Sequence, residues 1–109
     1  MIVVAVVLAG ALGAVIRYLV SRWLATPFAV LVVNVVGSAI GGVLLATTSG
    51  DLRLVLLTGF CGGLTTFSTF SVETVQLVLD GKSRVAVLSV VANLVLGIGA
   101  AALGYLLAR

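Results

Sequence analysis

Three short polar breaks, Thr26-Pro27, Thr48-Ser49-Gly50-Asp51 and Asp80-Gly81-Lys82-Ser83-Arg84, are all that divides an otherwise apolar chain of 109 residues. They leave four runs, and a run of about 20 apolar residues is what an α-helix needs to cross the hydrocarbon core of a bilayer. With 62% hydrophobic and 8% charged residues and a mean hydropathy of +1.41, the composition lies far outside that of a water-soluble domain. The expected fold class is an all-α membrane protein. A single four-helix transmembrane domain fills residues 1–109, with helices over about 2–24, 28–47, 52–79 and 85–108.

Several function classes drop out early. The first run begins at Ile2 with no basic segment ahead of it and no small-residue cleavage pattern, so it reads as a retained helix and not a signal peptide. Cys61 is the single cysteine and there is no histidine, which excludes an intrachain disulfide and leaves zinc or redox chemistry nothing to build on. Six basic residues give a net charge of +3. They sit mostly at helix ends, where they read as interfacial anchors and not as a nucleic-acid surface. No paired carboxylates and no nucleophile with a base suggest an enzyme.

The polar residues inside the four runs each admit a bland reading and a functional one. Arg22, near Trp23 and Tyr18, reads as a snorkelling arginine in an aromatic belt. Arg17 lies a turn or more deeper, where a charge either snorkels or faces a bundle interior or aqueous cavity. Asn34 either bonds across to a neighbouring helix or lines a pathway. Ser89, Asn93 and Gly97 recur every four residues and so form one stripe, which should face protein or a pore. Gly10, Gly13 and Ala14 in the first run, and Gly37, Gly41 and Gly42 in the second, permit close helix approach. Asp51 is placed to cap the third helix or to favour its positive end.

The third run carries the strongest signal. About 28 residues of helix would reach about 42 Å, against a hydrocarbon core of about 30 Å. A break mid-membrane, near 60–64 at Gly62-Gly63, resolves the mismatch. Beyond it come Thr65, Thr66, Ser68, Thr69, Ser71 and Thr74, a density of hydroxyls that makes a polar track. Phe67 and Phe70 are three apart and share a face, either as core packing or as part of that track. Loop charges give only a slight orientation bias: Arg53 and Arg109 on one side oppose Arg22, Lys82 and Arg84 on the other, with Arg17 nearby. A chain so balanced is free to insert both ways round.

The stretch from Gly59 to Glu73, GFCGGLTTFSTFSVE, together with Gly13-Ala14-Val15-Ile16-Arg17-Tyr18 and Asn34-Val35-Val36-Gly37-Ser38, resembles the Fluc/CrcB fluoride channel family, and the likeness covers essentially the whole chain. The resemblance implies an antiparallel, dual-topology dimer of four-helix subunits in a bacterial-type plasma membrane. Fluoride would leave passively through two pores between the subunits, relieving fluoride toxicity. By position, Asn34, Phe67 and Phe70 match the family's pore residues, Arg17 its vestibule cation, and Thr69 its hydroxyl track. Gly62 and Thr65 match the break residues whose backbone carbonyls hold a central structural sodium ion. The fourth helix departs from the pattern: Ser89 and Asn93 stand on the stripe where many members have a tyrosine and a serine. The partner is an identical chain or a paralogue of opposite orientation, and the loop charges fit either.

The rival from another class is a small proton-coupled multidrug exporter of the four-helix, dual-topology type. It needs a membrane-embedded acid, and the only acid inside any run is Glu73, in the third. A subunit with no transport of its own gives no reason for a broken third helix and a hydroxyl track.

Overall fold

The computed structural model describes residues 1–25 and 28–109. The turn expected at Thr26-Pro27 lies outside the described residues. Helix α1 spans Ile2–Trp23 and α2 spans Phe28–Thr47. The third run opens with α3, Gly50–Arg53, passes into a π-helical segment, Leu54–Cys61, and returns to α-helix in α4, Gly62–Leu64. After residues 65–67 it resumes as α5, Ser68–Leu79, and the chain closes with α6, Ser83–Ala108. No strand occurs among the described residues. Ile2–Trp23, Phe28–Thr47, Gly50–Leu79 and Ser83–Ala108 are each long and apolar enough to cross a membrane.

Boundaries follow from local chemistry. Leu24 is extended (φ −118°, ψ 137°) and ends α1. The α5–α6 turn is a Schellman motif: Lys82 N–H donates to the Leu77 carbonyl at 2.8 Å and Gly81 N–H to Val78 at 3.1 Å. That geometry puts Gly81 at φ 78°, the left-handed region where a side chain is strained. Ser49, not Asp51, occupies the cap position of α3, and Asp51 lies in the first turn, where its charge favours the positive helix end.

Two pairs of helices pack backbone to backbone. On one side α1 lies against the π-helical segment and α4; a Cβ on Gly13 would meet the Phe60 carbonyl, and one on Gly63 the Gly10 carbonyl. On the other, α2 lies against α6, with Gly42 against the Ala101 carbonyl and Gly104 against that of Ala39. Lipid is as apolar as leucine, so helices gain little from hydrophobic burial against one another; close van der Waals contact through small residues replaces it. The buried core is correspondingly small-grained: Ala29, Val30, Val33, Cys61, Leu64 and Ala86. Most large apolar side chains of α1 and α6 point outward.

The third run departs from its expected shape in two respects. Gly62 (φ −63°, ψ −36°) and Gly63 lie inside helical turns, so the chain is still helical at 62–64, where the break was expected. Helical geometry lapses instead at Thr65 (φ −79°, ψ 159°). The π-helical turns of Leu54–Cys61 were not expected at all. Glycine tolerates helical angles at a penalty of about 1 kcal/mol, and at Gly63 the close contact with Gly10 accounts for the residue type without any break.

Adding a methyl group at Gly13 or Gly42 should force the paired backbones apart, at about 1–3 kcal/mol. Gly99→Ala, mid-helix and with nothing within 4 Å of the added carbon, should stabilise by up to about 1 kcal/mol, because alanine is the better helix former. Thermal unfolding in detergent should therefore show lowered midpoints for Gly13→Ala and Gly42→Ala and an equal or raised one for Gly99→Ala.

Candidate functional site

A helix that stops and restarts leaves main-chain groups that must find other partners. The interruption at 65–67 resolves this with side chains. Thr65 returns both its N–H and its hydroxyl to the Cys61 carbonyl, each at 2.9 Å. Thr66 N–H, which a continuous helix would give to the Gly62 carbonyl, donates instead to Asn34 Oδ1 on α2 at 2.9 Å. Thr66 Oγ1 accepts the Thr69 N–H at 3.1 Å and so starts α5. Thr66 is itself only 8% exposed, and its amide has little access to water.

Asn34 is the hub of this arrangement. Its Nδ2 donates to Asn93 Oδ1 on α6 at 3.0 Å and, more weakly, toward the Thr66 carbonyl at 3.4 Å. Asn93 Nδ2 in turn donates to the Ser89 carbonyl one turn back at 2.8 Å. Three elements of the fold thus meet through two amide side chains. The interhelical role that residue type allowed for Asn34 is present, and it is directed at the interrupted backbone.

Around the hub lie three adjoining concavities. A cleft of about 330 Å³ is lined by Asn34, Thr65, Phe67, Phe70 and Asn93, with Ser38, Thr66 and Leu94. The two phenylalanine rings have centroids 6.4 Å apart and planes inclined at 48°; Phe67 is 80% exposed on the single chain. A second pocket, about 250 Å³, holds Arg17 and Thr69 with Tyr18, Ser21 and Glu73, and shares Thr66 with the cleft. A third groove, about 320 Å³, is floored by Gly37, Gly41 and Gly42 and contains Gly62 and Thr65.

The candidate residues are therefore divided among sites. Asn34, Phe67, Phe70 and Asn93 line one cleft; Arg17 and Thr69 line its neighbour; Gly62 and Thr65 share the third groove. The Ser89 side chain lines a separate apolar hollow with Phe28, Leu31, Val85 and Leu88, and only its carbonyl joins the amide relay. Thr66, the residue common to cleft and pocket, stood in the sequence as one hydroxyl among six, with nothing to mark it. Among the described residues no group of three or more histidine, cysteine or acidic side chains is placed to hold a metal.

The family model described as "CrcB-like protein, Camphor Resistance (CrcB)" matches residues 4–105. The chain is 42% identical over 112 residues to the fluoride-specific ion channel FluC of Syntrophotalea carbinolica, covering 92% of this chain and 91% of that protein. It is 45% identical over 110 residues to FluC 2 of Rhodococcus jostii, covering 96% of each, and 42% identical over 113 residues to FluC of Pyrococcus abyssi, covering 94% and 92%. These relatives are named for ion conduction and not for catalysis. With four membrane-length helices and a match across nearly its whole length, the chain is a multi-pass membrane protein that belongs to the CrcB family.

Proposed function

We propose that the chain forms a fluoride-selective channel that lets fluoride leave the cell passively through the plasma membrane, and so limits its toxicity. The observation that carries this reading is the cleft, which sets two amides and two aromatic rings side by side with no charged side chain on its wall. Fluoride is small and tightly hydrated, so a pore must replace its water with hydrogen-bond donors, which amides and hydroxyls supply. Aromatic rings present a positive edge and let Phe67 and Phe70 meet an anion without a fixed charge that would trap it. Conduction requires such contacts to be favourable yet weak. Arg17, in the pocket that shares Thr66, supplies a cation near one mouth of the path.

The working unit we propose is an antiparallel dimer of two copies in opposite orientations, with two pores between them. Supporting it, the cleft is open along one side of the single chain and Phe67 is largely exposed. Most of the α1 and α6 surface is also apolar and outward-facing. A central sodium ion would be held by main-chain carbonyls of Gly62 and Thr65 from both copies, supplying positive charge beside the anion path. The chain fits this: Thr66 N–H is diverted to Asn34, which removes the Gly62 carbonyl's usual helical partner, and oxygen ligands suit a hard cation. A Cβ on Gly62 would come no nearer than 3.9 Å to the Leu57 carbonyl. Nothing among the described residues of its own chain therefore requires glycine there, whereas a facing copy would.

Purified chain in liposomes should lose fluoride rapidly and retain chloride, as followed with ion-selective electrodes; retention of fluoride by liposomes that contain folded protein would refute the channel. Phe67→Ile and Phe70→Ile should leave oligomeric state unchanged on size exclusion and reduce fluoride efflux by at least about a hundred-fold, the order of about 3 kcal/mol. Gly62→Val should keep the stability of the single chain but weaken the dimer, read by cross-linking and by efflux. An intact, active dimer with valine there would place the ion elsewhere.

A further inference from the structure

Helices α2 and α6 run side by side in the same direction: Asn34 bonds to Asn93, and further along Gly42 and Gly104 sit against the carbonyls of Ala101 and Ala39. Their spacing is not uniform. Glycine first occurs at Gly37 in α2 and at Gly97 in α6, so contact between main chains is confined to the later turns of both. Ahead of those turns the seam is bordered by Phe28 and Leu31 on α2 and by Val85, Leu88 and Ser89 on α6, around a hollow of about 400 Å³. It is larger than any of the three concavities around Asn34. Phe28 and Leu88 are each more than half exposed, so the hollow is reached from the surface of the chain.

All but one of the lining side chains are hydrocarbon, and two cations stand at the mouth. Arg84 lies one turn before Leu88, and Lys82 occupies the cap position of α6, three residues before Val85. Among the described residues neither has a hydrogen-bond or ion-pair partner, and Asp80, the acid of the same turn, accepts from Gln76 Nε2 at 2.9 Å. The one polar side chain of the hollow is Ser89. Its carbonyl accepts from Asn93, whereas its hydroxyl has no partner among the described residues. Ser89 is five residues beyond Arg84, a rise of about 7.5 Å, and the interfacial layer on each side of a bilayer is about 5–8 Å deep. Cation, hydroxyl and hydrocarbon thus follow one another in the order in which a membrane lipid presents phosphate, glycerol oxygens and acyl chain.

We propose that this hollow seats an anionic glycerophospholipid: one acyl chain lies between α2 and α6, the Ser89 hydroxyl donates to a glycerol oxygen, and Lys82 and Arg84 hold the phosphate. The proposal goes beyond the fluoride-channel reading and does not rest on it. Charge selects the occupant. A zwitterionic lipid brings a cation of its own to the mouth, whereas a lipid of net negative charge gains about five-fold in affinity for each basic residue near the surface. Such a lipid would tie together the separated ends of two helices whose next turns carry Asn34 and Asn93.

The purified chain is mixed in detergent with equimolar dioleoyl phosphatidylglycerol and dioleoyl phosphatidylcholine, and the lipid retained is read by native mass spectrometry. The expected result is retention of phosphatidylglycerol at least about ten-fold over phosphatidylcholine, falling at least about ten-fold when Lys82→Gln and Arg84→Gln are combined. Leu88→Trp fills the hollow with both cations in place and should lose phosphatidylglycerol to the same extent. Val87→Trp, at the same depth on α6 but outside the hollow, should keep it. Equal retention of the two lipids overturns the proposal. So does retention unchanged by Leu88→Trp, since the basic turn would then attract lipid without the hollow. Loss of cross-linked dimer in Leu88→Trp with lipid retention unchanged would seat a second copy of the chain there instead. If Leu88→Trp is not recovered monodisperse, Val85→Phe narrows the mouth, and retention within about two-fold of the unsubstituted chain overturns the site equally. None of these readouts involves fluoride, so failure of the channel reading and failure of the lipid site are separate results.

Discussion

The structure depends on one exchange of hydrogen-bond partners: Thr66 N–H is held by the side chain of Asn34 instead of by the carbonyl four residues back. An amide so nearly buried in an apolar bundle has little water to turn to, and leaving it unpaired in hydrocarbon would cost several kcal/mol. A single interhelical bond from an asparagine is worth only about 0.6–2 kcal/mol. The larger effect is the penalty avoided. It fixes where the third helix can lapse, because the lapse must lie within reach of Asn34, and it ties α2 to the third span and, through Asn93, to α6.

Everything around that exchange keeps the backbones close enough for it to operate. Glycines 10, 13, 59 and 63 bring α1 against the first half of the third span, and Gly42 and Gly104 bring α2 against α6. Most large side chains are turned outward, and among the described residues none of the largest is fully buried. In a soluble protein this would be an inverted design. In a bilayer it is economical, since the outward residues meet lipid or another copy and the inward ones need only be small. The cleft opens where this tight packing stops, at the three residues between α4 and α5.

Much of the site was legible from residue type and spacing. Asn34 stood out as the polar residue in its helix, and Phe67 and Phe70 as neighbours among hydroxyls; all three line one cleft with Asn93. The stripe Ser89–Asn93–Gly97 divided: Asn93 and Gly97 face α2, where a Cβ on Gly97 would lie 3.6 Å from Ser38 Oγ, while Ser89 lines an apolar hollow. A stripe drawn at every fourth residue drifts around a helix that repeats every 3.6, so its end need not share the environment of its middle. Thr66 was not legible because its importance lies in its main-chain N–H, which every residue but proline has.

Sequence alone determined that this chain is four membrane-length helices with close-packed small residues and a polar third span, because hydropathy and glycine spacing act locally and need no knowledge of neighbours. It did not determine where the third span leaves helical geometry. Gly62-Gly63 is the weakest helix former in that region, yet those residues stay helical and the lapse falls at 65–67. The π-helical turns of Leu54–Cys61 have no signature in that apolar stretch either. The position of the lapse was decided by tertiary structure, for a definite physical reason. A propensity difference of about 1 kcal/mol is smaller than the cost of an unpaired amide in hydrocarbon, so the break goes to the place where a side chain from another helix can receive the freed N–H.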